Sequence, residues 1–396
     1  MPEAKPAGTG ADRPMRILVV DDLEVNRDLL MRRVTRLGHR AGPAVNGRDA
    51  LAQLRQQDWD LVLLDITMPE MDGYQTLREI RADPALTQLP VVMVSAIDET
   101  DSVVRCLELG ADDYLPKPFN PLVLQARVAS SLAKKRLQDQ QSALLDALSR
   151  ELEIGRRIQQ GFLPAQLPSL VGWTLGASCV PARQVGGDFY DAFVLPDGTV
   201  AMLVADVCDK GVGAALYMAL FRTLLRAMAS QTVPAETPAE LLVRSVGFTN
   251  DYIAGVHGHE NMFATLFFAL LDPHTGCLHY LNAGHEAGLL WQPDGGVQTL
   301  GVTGPAVGLL AGQRCRVQTH ALQAGAHLFL YTDGATEAGG ASGAFGEDAL
   351  ARLVAAPAGT AQQLVDQVGA ALSLHGQGSE PHDDVTLFCL ASAEPV

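Results

Sequence analysis

The chain has 396 residues, 47% of them hydrophobic and 19% charged, with a formal net charge of −16. That length exceeds one ordinary domain, so two globular domains with a connector are expected. The negative balance speaks against nucleic-acid binding unless basic residues gather in one place, and no apolar run approaches the ~20 residues of a membrane span.

Residues 1–14 are rich in Ala, Gly and Pro and lack an apolar h-region. They are expected to form a disordered lead-in rather than a signal peptide. Six cysteines are scattered without a Cys-x-x-Cys pair. That fits a cytoplasmic chain with buried thiols and argues against a disulfide frame or zinc site.

From residue 15 to 133, short apolar runs alternate with amphipathic stretches. Arg16–Val20 ends in Asp21–Asp22, Leu61–Leu64 in Asp65, and Val91–Val94 in Ser95. Helical patterns cover Val25–Leu37, Gly47–Gln56, Tyr74–Ala82 and Asp101–Leu109. The alternation predicts a doubly wound parallel sheet, whose site gathers beyond the carboxyl ends of the strands. Asp21, Asp22 and Asp65 there form an acidic pocket suited to a divalent cation. Lys117, after a short strand at Tyr114–Leu115, can pair with a carboxylate or a phosphoryl oxygen. Ser95 can hydrogen-bond a phosphoryl group. A cis bond before Pro118 would fix the lysine's turn.

With VVDD (Val19–Asp22), LVLLDITMPEMDGY (Leu61–Tyr74), VSA (Val94–Ala96) and DYLPKPF (Asp113–Phe119) in place, this segment resembles a response-regulator receiver domain, of flavodoxin-like fold. The resemblance implies phosphorylation of Asp65 by a sensor histidine kinase. It implies Mg²⁺ held by Asp21, Asp22, Asp65 and the carbonyl of Thr67. It also puts Tyr114 at the family's switch aromatic, beside Ser95 and Lys117.

Residues 134–164 form the connector. From Leu122 to Ile158 there is no proline and one glycine, Gly155. Leu137, Leu144, Leu148, Ile158 and Phe162 keep a heptad-like rhythm, broken by Gln141, Glu151 and Gly155. A long helix is expected, either paired with a second copy in a homodimer or packed on its own domain. Gly155 and Phe162–Pro164 are candidate hinge points. The basic groups Lys134–Arg136 and Arg156–Arg157 read as a solvated helix face.

In residues 165–396 strands and helices come in blocks. Strands are expected at Trp173–Val180, Phe189–Val194, Val200–Val207, Phe263–Leu271, Cys277–Ala283, Ala287–Gln292, His327–Thr332 and Val385–Leu390, with helices at Gly213–Ala229 and Ala239–Ile253. The pattern predicts a layered α/β sandwich. There is no phosphate-binding P-loop and no visible helix-turn-helix. Asp188, Asp206, Asp333 and Asp383 sit at strand ends or tight turns. Two divalent ions held by such carboxylates can activate a bridging water, and the oxygen ligands favour Mg²⁺ or Mn²⁺.

PARQVGGDFYD (Pro181–Asp191), ADVCDKGVGAAL (Ala205–Leu216), NAGH (Asn282–His285), YTDGATEA (Tyr331–Ala338) and DDVTL (Asp383–Leu387) resemble PPM-type serine/threonine phosphatases of the SpoIIE/RsbU-like branch, an α/β/β/α sandwich. The resemblance implies that Asp206 bridges two Mn²⁺ or Mg²⁺ ions. Asp188 and the carbonyl of Val207 would hold one ion, and Asp333 and Asp383 the other, with Asp384 the second choice of its pair. It implies as substrate a phosphorylated anti-sigma factor antagonist of the STAS type. Arg183 can grip a phosphate oxygen or be a plain surface arginine. His285 can act as general acid or orient its turn. Asp191 and Asp209 are expected to be structural. Two functions remain open: a receiver-controlled phosphatase, and a non-catalytic adaptor of the same architecture. The four aspartates together favour the enzyme.

Overall fold

The computed structural model describes residues 13–96, 100–294, 296–340, 343–355, 359–376 and 383–392. Apart from Arg13 and Pro14, the expected lead-in lies outside them. The chain divides into two compact units, residues 1–148 and 149–396.

The first unit runs β1 (Arg16–Val20), α1 (Glu24–Arg36), β2 (Arg40–Ala44), α2 (Gly47–Gln56), β3 (Leu61–Asp65), α3 (Gly73–Ala82), β4 (Val91–Ser95), α4 (Thr100–Glu108), β5 (Asp113–Pro116) and the start of α5 (Pro121–Gln160). Its sheet is parallel, in the order β2-β1-β3-β4-β5. The order reverses at β1, so the crevice between the ends of β1 and β3 is the topological switch point. β3 and β4 are buried along their whole length because helices cover both faces. β2 was not foreseen. Its sequence, RAGPA, has no strand former, and Pro43 is tolerated because β2 is an edge strand.

The early turns of α5 bury Leu124, Val128 and Leu132 on the core of this unit. Farther along, Leu137, Leu144, Leu145, Leu148, Ile154 and Ile158 are all about half exposed or more. A helix packed along its whole length on its own domain therefore does not form.

The second unit continues with β6 (Trp173–Val180), β7 (Phe189–Val194), β8 (Val200–Val207), α6 (Val212–Ala229), α7 (Pro238–Val256), β9 (Ala264–Asp272), β10 (Cys277–Ala283), β11 (Gly288–Gln292), β12 (Gly296–Leu300), β13 (Gln318–Ala321), β14 (His327–Tyr331), α8 (Asp333–Thr336), the short pair β15 (Gly339–Gly340) and β16 (Gly343–Ala344), α9 (Glu347–Val354), α10 (Ala361–His375) and β17 (Val385–Ser392). Two five-stranded antiparallel sheets, β13-β10-β9-β8-β7 and β12-β11-β14-β17-β6, pack face to face. α6 and α7 cover the first sheet, and α9 and α10 the second. This is the expected four-layer sandwich. α7 starts on a capping box, Thr237 with Glu240, and Pro238 follows in the first turn.

α6 is long and apolar enough by length and composition to cross a membrane, which corrects the expectation that no run came close. Its buried face, Ala214, Met218, Phe221, Leu225 and Ala229, lies in the core. Arg222 and Arg226 on the same helix reach the fully buried Asp191 of β7 at 2.9 and 2.8 Å. Asp191 is thus the post that ties α6 to the sheet. Removing one member of a buried ion pair strands its partners. Asp191→Ala is expected to lower the unfolding free energy of this unit by about 3 kcal/mol in urea denaturation. A change indistinguishable from zero would show that the arginines find solvent instead.

Candidate functional sites

In the first unit the expected residues converge. Asp21, Asp22 and Asp65 each place a carboxylate oxygen within 4.8 Å of the others. Lys117 reaches across from beyond β5, 2.7 Å from Asp21 and 2.9 Å from Asp65. Its backbone N–H donates to the Ser95 carbonyl at 2.6 Å, and the Lys117–Pro118 bond is cis. Ser95 is buried beneath it. Burial raises the Asp65 pKa above its ordinary range, against the pull of Lys117. Burial also works against the charge on Lys117, but the bonds to Asp21 and Asp65 outweigh it and raise its pKa. Thr67 follows β3 at the exposed rim, and Tyr114 is turned into the core. Gly73 opens α3 directly against Asp65: a Cβ there would lie 2.3 Å from the Asp65 carbonyl oxygen. Arg27 was not foreseen. It donates to the Asp21 carbonyl at 2.7 Å and braces the acidic loop.

The second unit gathers five acids. Asp188 is buried just before β7 and accepts a 2.7 Å hydrogen bond from Thr332. The carboxyl of Asp206, near the end of β8, lies close enough to that of Asp188 for the two to influence each other's charge. Asp333 and Asp383 place carboxylate oxygens within 4.8 Å of each other and of Glu337. Glu337 was missed, although Asp333 and Glu337 are four apart, one helical turn. Lys210 pairs with Asp383 at 2.8 Å. Burial, then the charge of Asp206, holds the Asp188 pKa well above the carboxylate range. Burial, then Asp333, pushes Asp206 up to about 7. Burial and Asp383 raise Asp333. Carboxylates crowded this way hold protons more tightly than usual because opposing charge is short. A divalent cation fits such a set of hard oxygens and supplies that charge.

Asp384 is engaged differently from its neighbour. Its two oxygens accept from the N–H groups of Ala182 and Gly187, each at 2.8 Å. Glycines make this closeness possible. A Cβ at Gly186 would lie 2.1 Å from the Asp384 carboxylate, and one at Gly334 would lie 2.0 Å from its carbonyl oxygen. A Cβ at Gly187 would lie 2.6 Å from the Val207 carbonyl oxygen. Arg183 is exposed on the same loop and near enough to Lys210 to oppose its charge.

Residues 17–129 match the family described as the response regulator receiver domain, and residues 196–392 match stage II sporulation protein E (SpoIIE). Residues 17–129 are thus a receiver domain, and residues 196–392 a SpoIIE-type phosphatase domain. Protein IcfG of Synechocystis sp. is 40% identical over 266 residues, 62% of this chain and 42% of IcfG. Response regulator PleD of Caulobacter vibrioides is 38% identical over 143 residues, 36% of this chain and 30% of PleD. The chain thus spans less than half the length of either relative. The SiaA-PP2C domain of Pseudomonas aeruginosa aligns with 63% of this chain and 99% of its own at 22% identity and a TM-score of 0.53, which shows the fold of the phosphatase domain.

His285 occupies a turn of the phosphatase domain and is buried. Its N–H donates to Asn282 at 2.8 Å, and its Nδ1 pairs with the Thr265 hydroxyl at 2.7 Å. Thr265 lies across the ladder from Asp206. Burial brings the imidazole pKa down to about 4, partly offset by the Tyr331 backbone. A neutral imidazole at pH 7 is a poor general acid, and the turn-orienting role fits. The folded state then takes its proton near pH 4 and the unfolded state near 6.5, so stability present above 6.5 is lost as pH falls towards 4. Between pH 7 and pH 4 the wild type should lose about 3 kcal/mol more than His285→Gln. Parallel stability–pH curves for the two proteins would contradict this.

Proposed function

We propose that the chain is a receiver-controlled, metal-dependent phosphatase acting on phosphoserine or phosphothreonine in proteins. The observation that carries this reading is the convergence of Asp188, Asp206, Asp333 and Asp383 from four separate segments. A purely adaptor role gives no reason for buried carboxylates to crowd at the cost of their ionisation. Asp206 lies between the Asp188 and Asp333 sides of the cluster and would bridge two Mn²⁺ or Mg²⁺ ions. Asp188 and the Val207 carbonyl would complete one site, and Asp333 and Asp383 the other. Such a pair of ions supplies a water activated for in-line attack on a phosphate ester. Asp383, not the backbone-bound Asp384, is the ligand of its pair. Arg183 stands exposed where its planar fork can meet a phosphate oxygen.

In the receiver, a sensor histidine kinase would phosphorylate Asp65, with Mg²⁺ held by Asp21, Asp22, Asp65 and the Thr67 carbonyl. Ser95, Tyr114 and Lys117 would register the phosphoryl group. The exposed leucines of α5 favour a homodimer, and α6 and α7 would carry the change to the Asp206 loop. The proposed substrate is a phosphorylated STAS-type anti-sigma factor antagonist in the cytoplasm.

The test is hydrolysis of p-nitrophenyl phosphate in Mn²⁺, with and without beryllofluoride. The wild type should turn over, change rate with beryllofluoride, and lose activity in EDTA. Asp206→Ala should fall by roughly 10³-fold. Undiminished hydrolysis in Asp206→Ala would reject the metal site. A rate indifferent to beryllofluoride would reject receiver control.

A further inference from the structure

The last turns of α5 meet the loop that carries Asp188. A Cβ built on Gly155 would lie 3.8 Å from the Val185 side chain. Four residues on, the Gln159 amide pairs with both backbone polar groups of one residue of that loop. Its Nε2 donates to the Gly186 carbonyl, and the Gly186 N–H donates to its Oε1 at 3.2 Å. Residues four apart share a helix face, so Gly155 and Gln159 present one contact surface. Phe162 and Leu163 anchor the chain just beyond, against the core.

The same loop is held from a second direction. Asp384 accepts from Ala182 and Gly187, on either side of the residues that Gln159 grips. The Gly186–Gly187 segment has no side chains of its own, so its path is set by what clasps its backbone. Asp188 follows immediately. A small cavity of about 70 Å³ is lined by Gln159, Gly186, Asp188 and Asp384 together, which puts the helix and the carboxylate on one space.

We infer that Gln159 is a positioning residue for the metal centre: its paired hydrogen bonds with Gly186 hold the loop so that Asp188 faces the ion it shares with Asp206. This rests on the metal-site reading above. A shift of α5 along or about its axis then bears on metal occupancy at Asp188 directly, beside the route through α6 and α7 to the Asp206 loop. Groups that orient a ligand from behind typically change metal affinity by about 10- to 100-fold when removed.

The test is Mn²⁺ binding to the full chain, read by the free-ion paramagnetic resonance signal and compared with Asp206→Ala to define the phosphatase sites. Gln159→Ala should weaken those sites about ten-fold. Its hydrolysis at saturating Mn²⁺ should stay near wild type, and its metal-free melting temperature should not move. Gln159→Glu keeps the acceptor for the Gly186 N–H but sets a carboxylate against the Gly186 carbonyl, and should weaken the sites at least as much. Gln160→Ala, on the same cavity, should bind as wild type. Wild-type Mn²⁺ affinity in Gln159→Ala would overturn the inference. So would a loss of affinity matched by a lower metal-free melting temperature. A wild-type chain with no Asp206-dependent Mn²⁺ site would instead overturn the metal reading itself.

Discussion

Repulsion between carboxylates held at strand ends is the constraint on which both sites depend. In the receiver it is answered from within the chain. Lys117 lies between Asp21 and Asp65 and stays charged despite its burial. That leaves Asp65 held by a cation at the end of β3, with Asp21 and Asp22 beside it. In the phosphatase domain the answer is incomplete. Lys210 meets Asp383, yet Asp188, Asp206 and Asp333 all hold protons more tightly than ordinary carboxyls. Divalent ions would supply the opposing charge that this set of carboxyls lacks.

The crowding is made possible by backbone approaches that only glycine allows. Gly73 lets α3 begin against the Asp65 carbonyl. Gly186 and Gly187 in the loop before β7, and Gly334 in α8, let these segments close on Asp384 and the Val207 carbonyl. Asp384 organises those segments from inside, and its neighbour Asp383 is left open. One residue of the pair is bound to backbone, and the other pairs with Lys210 beside Asp333 and Glu337. From outside, the end of α5 clasps the same frame through Gln159. The last turn of α5 thus rests on the loop that carries Asp188.

Much of this was legible in the sequence because the reactive residues follow strands of pure apolar sequence. Asp21, Asp65, Asp206 and Asp333 could be placed at strand ends from their neighbours alone. What escaped had weak or ambiguous local signals. β2 reads RAGPA and forms by pairing with β1. β12 and β13 are edge strands with little apolar content. α9 and α10 are amphipathic but sit in an Ala- and Gly-rich stretch, and their stability comes from packing on the second sheet. Glu337 was readable as a helical neighbour of Asp333. The preference for Asp383 over Asp384 came from the family resemblance alone; that Asp384 is bound to Ala182 and Gly187 depends on which side of one turn faces them. The Gln159 clasp joins residues 27 apart through a backbone with no side chain, and a residue pattern carries no trace of that.

The measurement that tests the central claim most directly is a count of Mn²⁺ bound per chain at high ion concentration, for the wild type and for Asp206→Ala. If uncompensated carboxylates form a two-ion centre beside the receiver's single site, the wild type should bind about three ions and the variant about one. An equal count in the two proteins would mean that the cluster around Asp206 holds no metal, and the account of this chain as a metal-dependent phosphatase would fall with it.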